Sequence, residues 1–264
     1  MQVRLDKLLS ERGLCRRSEV ERLIRSGEVS SRSGVKLVAK QKVESQDILF
    51  QGEPLDPEKL YLLMYKPQAF VCSHDDQGQL IYQLLPEPFK RRRPPLASVG
   101  RLDKDTTGAL FFTDDGELNH RLISPKHHTD KVYEVWLERP IADWRLQSLR
   151  EGGLYLEGES KPLLPARCCL LTESNSAILS MEEASRAVAQ AQEGKIEESD
   201  HLLLTLTEGR YHQVKRMLAA LDNSVTQLHR VAFAGLDLKG LEKGQWRFLT
   251  EAELTTLKRS IGKP

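Results

Sequence analysis

Four aspartates lie within thirteen residues of the segment VGRLDKDTTGALFFTDDGE, residues 99–117: Asp103, Asp105, Asp114 and Asp115. Carboxylates at this density can hold a cation, shape turns and cap helices, or take part in covalent and acid–base chemistry. Each role makes a different demand on the neighbouring residues, so the neighbours decide between them.

A calcium loop is one interpretation, because the string that starts at Asp103 nearly fits the EF-hand pattern. Gly108 falls at the sixth position, but the twelfth is Asp114, where a bidentate Glu is usual. Pro94 and Pro95 precede the segment and would break the helix that must enter such a loop. The pattern therefore gives calcium little support.

Turn formation and helix capping account for three of the four carboxylates. Asp105 precedes a Thr-Thr-Gly turn sequence, and Asp114 and Asp115 precede ELNHRLIS, which has the character of a helix. We expect Asp105 to shape the turn and the Asp114-Asp115 pair to cap the helix. Asp103, which follows Gly-Arg-Leu, fits neither role.

Catalysis by Asp103 is the third interpretation. A catalytic carboxylate must stay ionised in a partly buried pocket, and a nearby cation achieves this by lowering its pKa. The segment EGRYHQVKRM, residues 208–217, offers Lys215 near the start of an amphipathic helix, with Arg216 as a second candidate. The same cations could also be no more than a solvated helix face.

The elements that must position these residues follow from the hydrophobic pattern. KVYEVWLE and HLLLTLTEG alternate as strands do, and YHQVKRMLAAL has helical spacing. Strands and helices are mixed without regular βαβ spacing, which predicts an α+β fold around a mixed or antiparallel sheet. Residues 172–200 hold seven acidic and two basic side chains and predict an acidic surface insertion with one helix at about 180–193.

Positive charge is concentrated at the N-terminus. Residues 1–43 carry eleven Lys or Arg and five Asp or Glu, so the remaining 221 residues have a net charge near −5 in a chain of +1. The N-terminal segment predicts two short helices, and such a basic patch attracts polyanions. Residues 51–59, which contain two prolines, predict a domain boundary, giving domains 1–58 and 59–264. KRRRPP, residues 90–95, predicts an exposed basic loop.

The composition indicates a soluble cytoplasmic protein. No apolar run approaches the length of a transmembrane span, and the first residues are too charged for a signal peptide. The four cysteines show no CxxC spacing, so we expect reduced thiols and no metal site.

Two parts of the sequence resemble known protein families. Residues 3–50 resemble the S4-type RNA-binding module. GRLDKDTTG (100–108), KVYEV (131–135) and EGRYHQVKRML (208–218) resemble, in order and spacing, the catalytic-domain motifs of the pseudouridine synthases with an N-terminal S4 domain. The resemblance covers nearly the whole chain except residues 172–200. It implies a small N-terminal α/β S4-like RNA-binding domain and a larger catalytic domain with a mixed or antiparallel sheet.

The resemblance implies roles for single residues. Asp103 would be the essential catalytic carboxylate, and Tyr133 would stack on the uracil. Lys215 would pair with Asp103, although many relatives have Arg there and Lys lacks its bidentate fork. Leu218 would line the base pocket. The residues expected to contact RNA are Arg101, which would fill the gap left by a flipped base, and Arg4, Lys7, Arg16, Arg17, Arg210 and Arg216.

One residue departs from the family pattern near the predicted site. Ala69 stands where Gly is common, after the YKPQ stretch. The turn there must either avoid a positive φ angle or tolerate it without glycine. The acidic insertion at 172–200 is the second departure, and we expect it to decorate the surface.

The resemblance also implies a reaction. The family converts uridine to pseudouridine by breaking the N-glycosidic bond, turning the uracil and rejoining it through carbon, with no metal and no organic cofactor. The uridine must leave its stack to be reached. Whether the aspartate attacks the sugar or assists loss of the 2′ proton stays open.

The resemblance is strongest to members that act on the small ribosomal subunit. It implies a 16S rRNA target, position 516 in the usual rRNA numbering, within free rRNA or an assembling subunit, and a monomeric enzyme with no membrane partner. A synthase for 23S rRNA and a non-catalytic RNA-binding assembly factor are the alternatives.

Overall fold

The computed structural model describes residues 2–172 and 178–262. The chain forms two compact units. The first comprises Met1–Tyr61, Tyr82–Ala97 and Phe112–Gly116, and the second comprises Leu62–Ile81, Ser98–Phe111 and Glu117–Pro264. The domain boundary at residue 58 stays a prediction, because the first unit runs to Tyr61 and also takes in two later segments.

Helices and strands alternate irregularly along the described residues. The helices are α1 Leu5–Glu11, α2 Val20–Arg25, α3 Glu87–Lys90, α4 Gly116–Ile123, α5 Gln147–Glu151, α6 Met181–Gly194, α7 Gln213–Ala219 and α8 Glu251–Ser260. The strands are β1 Val3–Arg4, β2 Val29–Ser31, β3 Lys42–Val43, β4 Ile48–Phe50, β5 Glu53–Pro54, β6 Tyr61–Lys66, β7 Phe70–Val71, β8 Gln79–Leu80, β9 Ala97–Ser98, β10 Thr107–Thr113, β11 Lys131–Ala142, β12 Arg167–Leu170, β13 Glu198–Leu206, β14 Val225–Phe233, β15 Leu236–Asp237 and β16 Trp246–Phe248.

The first unit has a small apolar core under its two N-terminal helices. Leu5 and Leu9 of α1 pack with Val20 and Leu23 of α2, one helical turn apart in each case, and with Ile48 of β4. β2, β4 and β5 form an antiparallel sheet, and β1 pairs with β3. The two predicted helices are confirmed.

The basic loop at residues 90–95 is only partly exposed. Arg91 and Arg93 are exposed, but the Arg92 side chain is buried. Its Nε donates to Asp114 Oδ2 at 2.7 Å, and Nη2 donates to the carbonyls of Pro57 and Glu58. The prediction of an exposed loop was therefore wrong at Arg92, because a buried carboxylate compensates its charge.

Asp114 does not have the expected role of helix cap, because it pairs with Arg92. Its Oδ1 accepts the backbone N–H of Leu60 at 2.8 Å, and its Oδ2 accepts from Arg92. Both oxygens are directed to these partners, so Asp114 does not cap α4. Its neighbour Asp115 is also buried and pairs with Lys59 at 2.8 Å.

The second unit is built on a mixed sheet, as predicted. The strand order is β12-β13-β11-β14-β10-β6-β16, with β9 beside β10 and β15 beside β14. β10 runs parallel to β14, whereas β11 is antiparallel to both β13 and β14. Residues 132–135 of β11 and 228–233 of β14 are buried without interruption, so both faces of the sheet are covered there.

The acidic segment at 172–200 does more than decorate the surface. It contains the predicted helix as α6, whose Ala184 and Ala191 are buried against Val132, Leu203 and Val231 of the sheet. Its last residues begin β13, which pairs with both β11 and β12. Residues 173–177 of this segment lie outside the described part of the chain.

Buried hydrogen bonds attach the segment at 172–200 to the sheet. Glu134 of β11 is completely buried and accepts from His201 Nε2 and from the backbone N–H of Ile178, each at 2.8 Å. His201 Nδ1 lies 3.1 Å from the carbonyl of Thr172. Because an unpaired carboxylate would be costly here, these partners specify where the segment lies.

Candidate active site

An open cavity of about 540 Å³ in the second unit brings together Asp103, Tyr133, Lys215, Arg101 and Arg210. These residues come from segments more than a hundred positions apart in the chain. The fold therefore brings the separate sequence motifs together in one cavity.

Asp103 lies between two basic side chains. Its Oδ2 is 3.4 Å from Lys215 Nζ, and its Oδ1 is 3.3 Å from His212 Nε2. The Asp103 side chain keeps 28 % of its surface exposed to the cavity side of the fold. A carboxylate in this setting is held in place by charge yet remains open to a substrate.

Lys215 is shared with a second carboxylate. Its Nζ lies 2.7 Å from Asp105 Oδ1 and 2.8 Å from Oδ2. Burial alone would raise the pKa of Asp105, but the hydrogen bond and charge of Lys215 outweigh it and hold the pKa below its ordinary value. Burial likewise opposes the charge of Lys215, and the two aspartates outweigh it and raise the pKa of Lys215.

Asp105 therefore has a contact that the turn interpretation did not include. The turn itself is closed by the backbone, where Thr106 N donates to the Asp103 carbonyl at 3.1 Å. The Asp105 side chain instead anchors Lys215. A turn propensity cannot reveal a partner that lies 110 positions later in the chain.

Arg216, the second candidate partner of Asp103, is directed elsewhere. Its guanidinium donates to Glu159 and to the carbonyls of Tyr211 and Glu157. Arg210 similarly donates to Glu208 and to the carbonyls of Lys161 and Pro162. Both arginines tie the 157–162 segment down, so contact with RNA by either of them would require exchange of these bonds.

His212 is a site residue that the sequence reasoning missed. It has a left-handed backbone, with φ at 46°, and directly precedes α7. Its ring stacks on exposed Tyr211 at 3.9 Å between centroids. Helical spacing could not reveal its contact with Asp103, because His212 lies just outside α7 with a left-handed backbone.

A buried lysine holds the segment that carries Asp103. Lys66, at the end of β6, is completely buried, and its Nζ donates to the carbonyls of Thr106 at 2.7 Å, Pro67 at 3.1 Å and Lys104 at 3.4 Å. Burial lowers the pKa of Lys66 to about 8. The loop that carries Asp103 is thus fixed through its backbone.

Two backbone positions shape the same loop. Ala69 N donates to the Lys104 carbonyl at 2.8 Å, and Ala69 has a φ of 75°, so the turn tolerates a positive φ without glycine. Gly108 has a φ of 118°, and a Cβ there would lie 2.2 Å from the carbonyl oxygen of Arg230. Glycine is therefore required where β10 approaches β14.

Tyr133 lies on the cavity wall in β11. It is opposite Leu204 of β13 and Arg230 of β14, and its side chain is largely buried. Leu218, which was expected to line the base pocket, is completely buried on α7. The structure instead places Val214, one turn earlier on α7, on the cavity, together with Leu102, Leu206 and Leu228.

The N-terminal basic residues lie on the surface of the first unit. Arg16 and Arg17 are exposed, Arg4 pairs with Asp6 at 2.6 Å, and Lys7 lies 3.7 Å from Glu11. Their contact with RNA stays a prediction. No helix among residues 2–172 and 178–262 is long and apolar enough to cross a membrane.

The geometry of the segment that begins at Asp103 contradicts a calcium-binding loop. Residues 107–113, which an EF-hand would use inside its loop, form strand β10. Asp103 and Asp105 face Lys215, and Asp114 faces Arg92. In the described part of the chain, no three His, Cys, Asp or Glu side chains are grouped closely enough to hold a metal ion.

Comparison with known proteins agrees with these motifs. The family model for RNA pseudouridylate synthase matches residues 60–220, and the model for the S4 domain matches residues 3–30. The chain belongs to the RNA pseudouridylate synthase family. It is therefore an isomerase of RNA uridine that carries an S4 RNA-binding domain.

Relatives of this RNA pseudouridylate synthase match it from end to end. Ribosomal small subunit pseudouridine synthase A of Vibrio vulnificus is 37% identical over 97% of this chain and 99% of its own length. An uncharacterized RNA pseudouridine synthase of Bacillus subtilis is 36% identical over 97% and 98%. A crystal structure of a pseudouridylate synthase matches with a TM-score of 0.61, 36% identity and coverage of 97% and 99%.

The charge of the cavity suits an RNA substrate of this synthase. Its lining holds two carboxylates, Asp103 and Glu208, and six basic side chains, Arg101, Lys104, Lys131, Arg210, Lys215 and Arg230. This excess of positive charge is complementary to a polyanionic backbone. Of the two carboxylates, Glu208 pairs with Arg210, whereas Asp103 lies beside Lys215 and His212.

Proposed function

We propose that this protein converts one uridine of small-subunit (16S) rRNA to pseudouridine, with Asp103 as the catalytic carboxylate. The observation that carries the proposal is the placement of Asp103 between Lys215 and His212 in a cavity that Tyr133 also lines. The small subunit is supported by full-length relatives named ribosomal small subunit pseudouridine synthase A.

Asp103 acts at the sugar of the target uridine. Its carboxylate lies beside Lys215, and it either bonds to C1′ or takes the 2′ proton as the C1′–N1 bond breaks. Both routes need the same carboxylate in the same place. Neither route needs a metal or an organic cofactor.

Tyr133 contacts the flipped base, and Arg101 occupies the space that the base leaves in the RNA. The Tyr133 ring forms a wall of the cavity against which a uracil can stack, and its hydroxyl can assist removal of the C5 proton. Arg101 is exposed at the same cavity and enters the gap that the flipped nucleotide leaves. Flipping costs a few kcal/mol, less where the nucleotide is already unpaired.

The exposed cations of the S4 domain contribute backbone affinity. Arg4, Lys7, Arg16 and Arg17 lie on the first unit, which supplies phosphate contacts that offset the cost of flipping. The substrate is 16S rRNA, free or in an assembling small subunit. The enzyme acts in the cytoplasm as a monomer.

The test is a map of pseudouridines in rRNA from cells with and without the gene. We expect one site of 16S rRNA, position 516, to lose its pseudouridine without the gene and to regain it when the gene is restored. Loss at a 23S rRNA position instead would replace the proposed substrate. An unchanged map with altered subunit assembly would indicate a non-catalytic assembly factor.

A further inference from the structure

Breaking the C1′–N1 bond creates a charge that Asp103 cannot balance. Both electrons of the bond stay on the uracil, which becomes an anion with charge spread over N1, O2 and O4. Asp103 is itself negative and acts at the sugar. Stabilisation of the detached base therefore requires positive charge elsewhere in the cavity, fixed before the reaction begins.

Arg230 is one unused cation of the cavity. Its side chain is 2% exposed, and it lies opposite Tyr133 in the β11–β14 pair. Its Nε donates to the Ala109 carbonyl at 2.7 Å, which fixes the guanidinium. Its buried Nη2 has no hydrogen-bond partner among the described residues. A buried charged donor without a partner is costly in the free protein, and a ligand acceptor would remove that cost.

Lys131 is the second unused cation. It is two residues before Tyr133 on β11, so both side chains point to the cavity face. Its Nζ donates to the Thr129 carbonyl at 2.8 Å and lies 5.8 Å from the centre of the Phe233 ring. The Arg230 guanidinium lies 5.1 Å from the centre of the same ring, so both cations lie close to Phe233.

The carboxylates that face Lys131 are engaged by other residues. Asp130 pairs with Arg167 at 2.7 Å, and Glu208 pairs with Arg210 at 3.0 Å. Burial and the charge of Arg230 together lower the pKa of Lys131 to about 8, against the smaller effects of Asp130 and Glu208. Neither Asp130 nor Glu208 forms an ion pair with Lys131, so neither of these carboxylates neutralises the positive charge of the Lys131–Arg230 pair.

We propose that Lys131 and Arg230 bind the carbonyl oxygens of the detached uracil and stabilise its negative charge during the isomerisation. The inference rests on the proposed reaction at Asp103, though not on which rRNA is the substrate. As C1′–N1 breaks, the electron pair moves to the uracil and the two cations balance it. The base turns while held, and C5 bonds to C1′ either as the C1′–O bond to Asp103 breaks or as Asp103 returns the 2′ proton to C2′. The C5 proton is then lost as N1 gains one. Atoms and electrons balance with no other reactant.

Three variants test the proposal in single-turnover reactions with excess enzyme on a mixture of 16S and 23S rRNA from cells that lack the gene. Lys131→Met keeps the aliphatic stem and removes the charge, so we expect the saturating rate to fall by about 100-fold. Lys131→Arg keeps the charge and should retain most of the rate. Lys239→Met, at a surface lysine 73% exposed, is the matched control and should behave as wild type.

The pH dependence distinguishes a charge from a packing role. Wild-type kcat/KM should fall by about tenfold per pH unit above pH ~8 as Lys131 loses its proton in the free enzyme. Lys131→Arg should keep its kcat/KM across this range. Titration of uridine itself is common to both enzymes and cancels in their ratio.

The proposal is overturned if Lys131→Met reacts at the wild-type saturating rate and loses only affinity, or if Lys131→Arg is as slow as Lys131→Met. Arg230→Lys, which keeps a buried charge, gives an independent check, and its melting temperature shows whether it folds. Because both rRNAs are present, wild-type reaction in 23S rRNA alone would overturn the proposed substrate while still testing Lys131.

Discussion

The ammonium of Lys215 is closer to Asp105 than to Asp103, at 2.7 Å and 3.4 Å respectively. Asp105 therefore anchors the lysine, and Asp103 receives its charge without being fully bound by it. A carboxylate that remained in a tight pair would be a poorer nucleophile or base. The arrangement holds Asp103 in place and leaves it available to the substrate.

Loss of the Lys215 charge should slow the reaction. We expect Lys215→Met to lower the single-turnover rate by about 100-fold, because Asp103 and Asp105 would then repel each other without a shared cation. Lys215→Arg should retain most of the rate, since a guanidinium can donate to both carboxylates. Equal loss in both variants would show that the charge is not what matters at this position.

Lys66 should stabilise the folded chain in a pH-dependent way. Its folded pKa of about 8 is below the ordinary 10.5, so between these values the unfolded chain binds more protons. The contribution of Lys66 to stability is therefore absent below pH ~8, rises with pH and is complete above its ordinary pKa. Urea unfolding at pH 7.5 and pH 10 measures this rise.

Lys66→Met is the matched comparison for that measurement. It should lose the part of the pH dependence that Lys66 supplies, while Lys131, which titrates in the same range, contributes equally to both proteins. Identical pH slopes in the two proteins would contradict this account of Lys66.

Ala69→Gly should raise the free energy of unfolding. Alanine at a φ of 75° is strained, and glycine relieves that strain at some cost in chain entropy, for a net gain of about 0.5–1 kcal/mol. Ala220→Gly is the control, since Ala220 has an ordinary φ of −67° and should lose stability instead. Urea unfolding would contradict the expectation if both variants shifted in the same direction.

The buried pair of Arg92 and Asp114 should dominate the polar stability of the first unit. Arg92→Met leaves Asp114 as a buried unpaired carboxylate and should cost about 3–5 kcal/mol. Arg91→Met, which removes a neighbouring side chain that is 69% exposed, should cost less than about 1 kcal/mol. Denaturant unfolding of both variants checks this, and equal losses would show that burial of Arg92 contributes nothing.

The sequence predicted those features that one local pattern or motif determines. The mixed sheet, the helix in the acidic segment and the meeting of Asp103 with Lys215 follow from periodicity and from motif order. The burial of Arg92 depends on Asp114, 22 positions away, and the packing of α6 depends on a sheet face that no local pattern describes. His212 was missed because its contact with Asp103 arises from a left-handed residue at the start of α7.

The central claim is that Asp103 performs the chemistry, and Asp103→Asn in the gene-deletion strain tests it most directly. The asparagine keeps the size of the side chain and removes its charge, so the variant should fold and bind rRNA. We predict that it restores no pseudouridine at the 16S position that the wild-type gene restores. Restoration of pseudouridine there by Asp103→Asn to the wild-type extent would contradict the account.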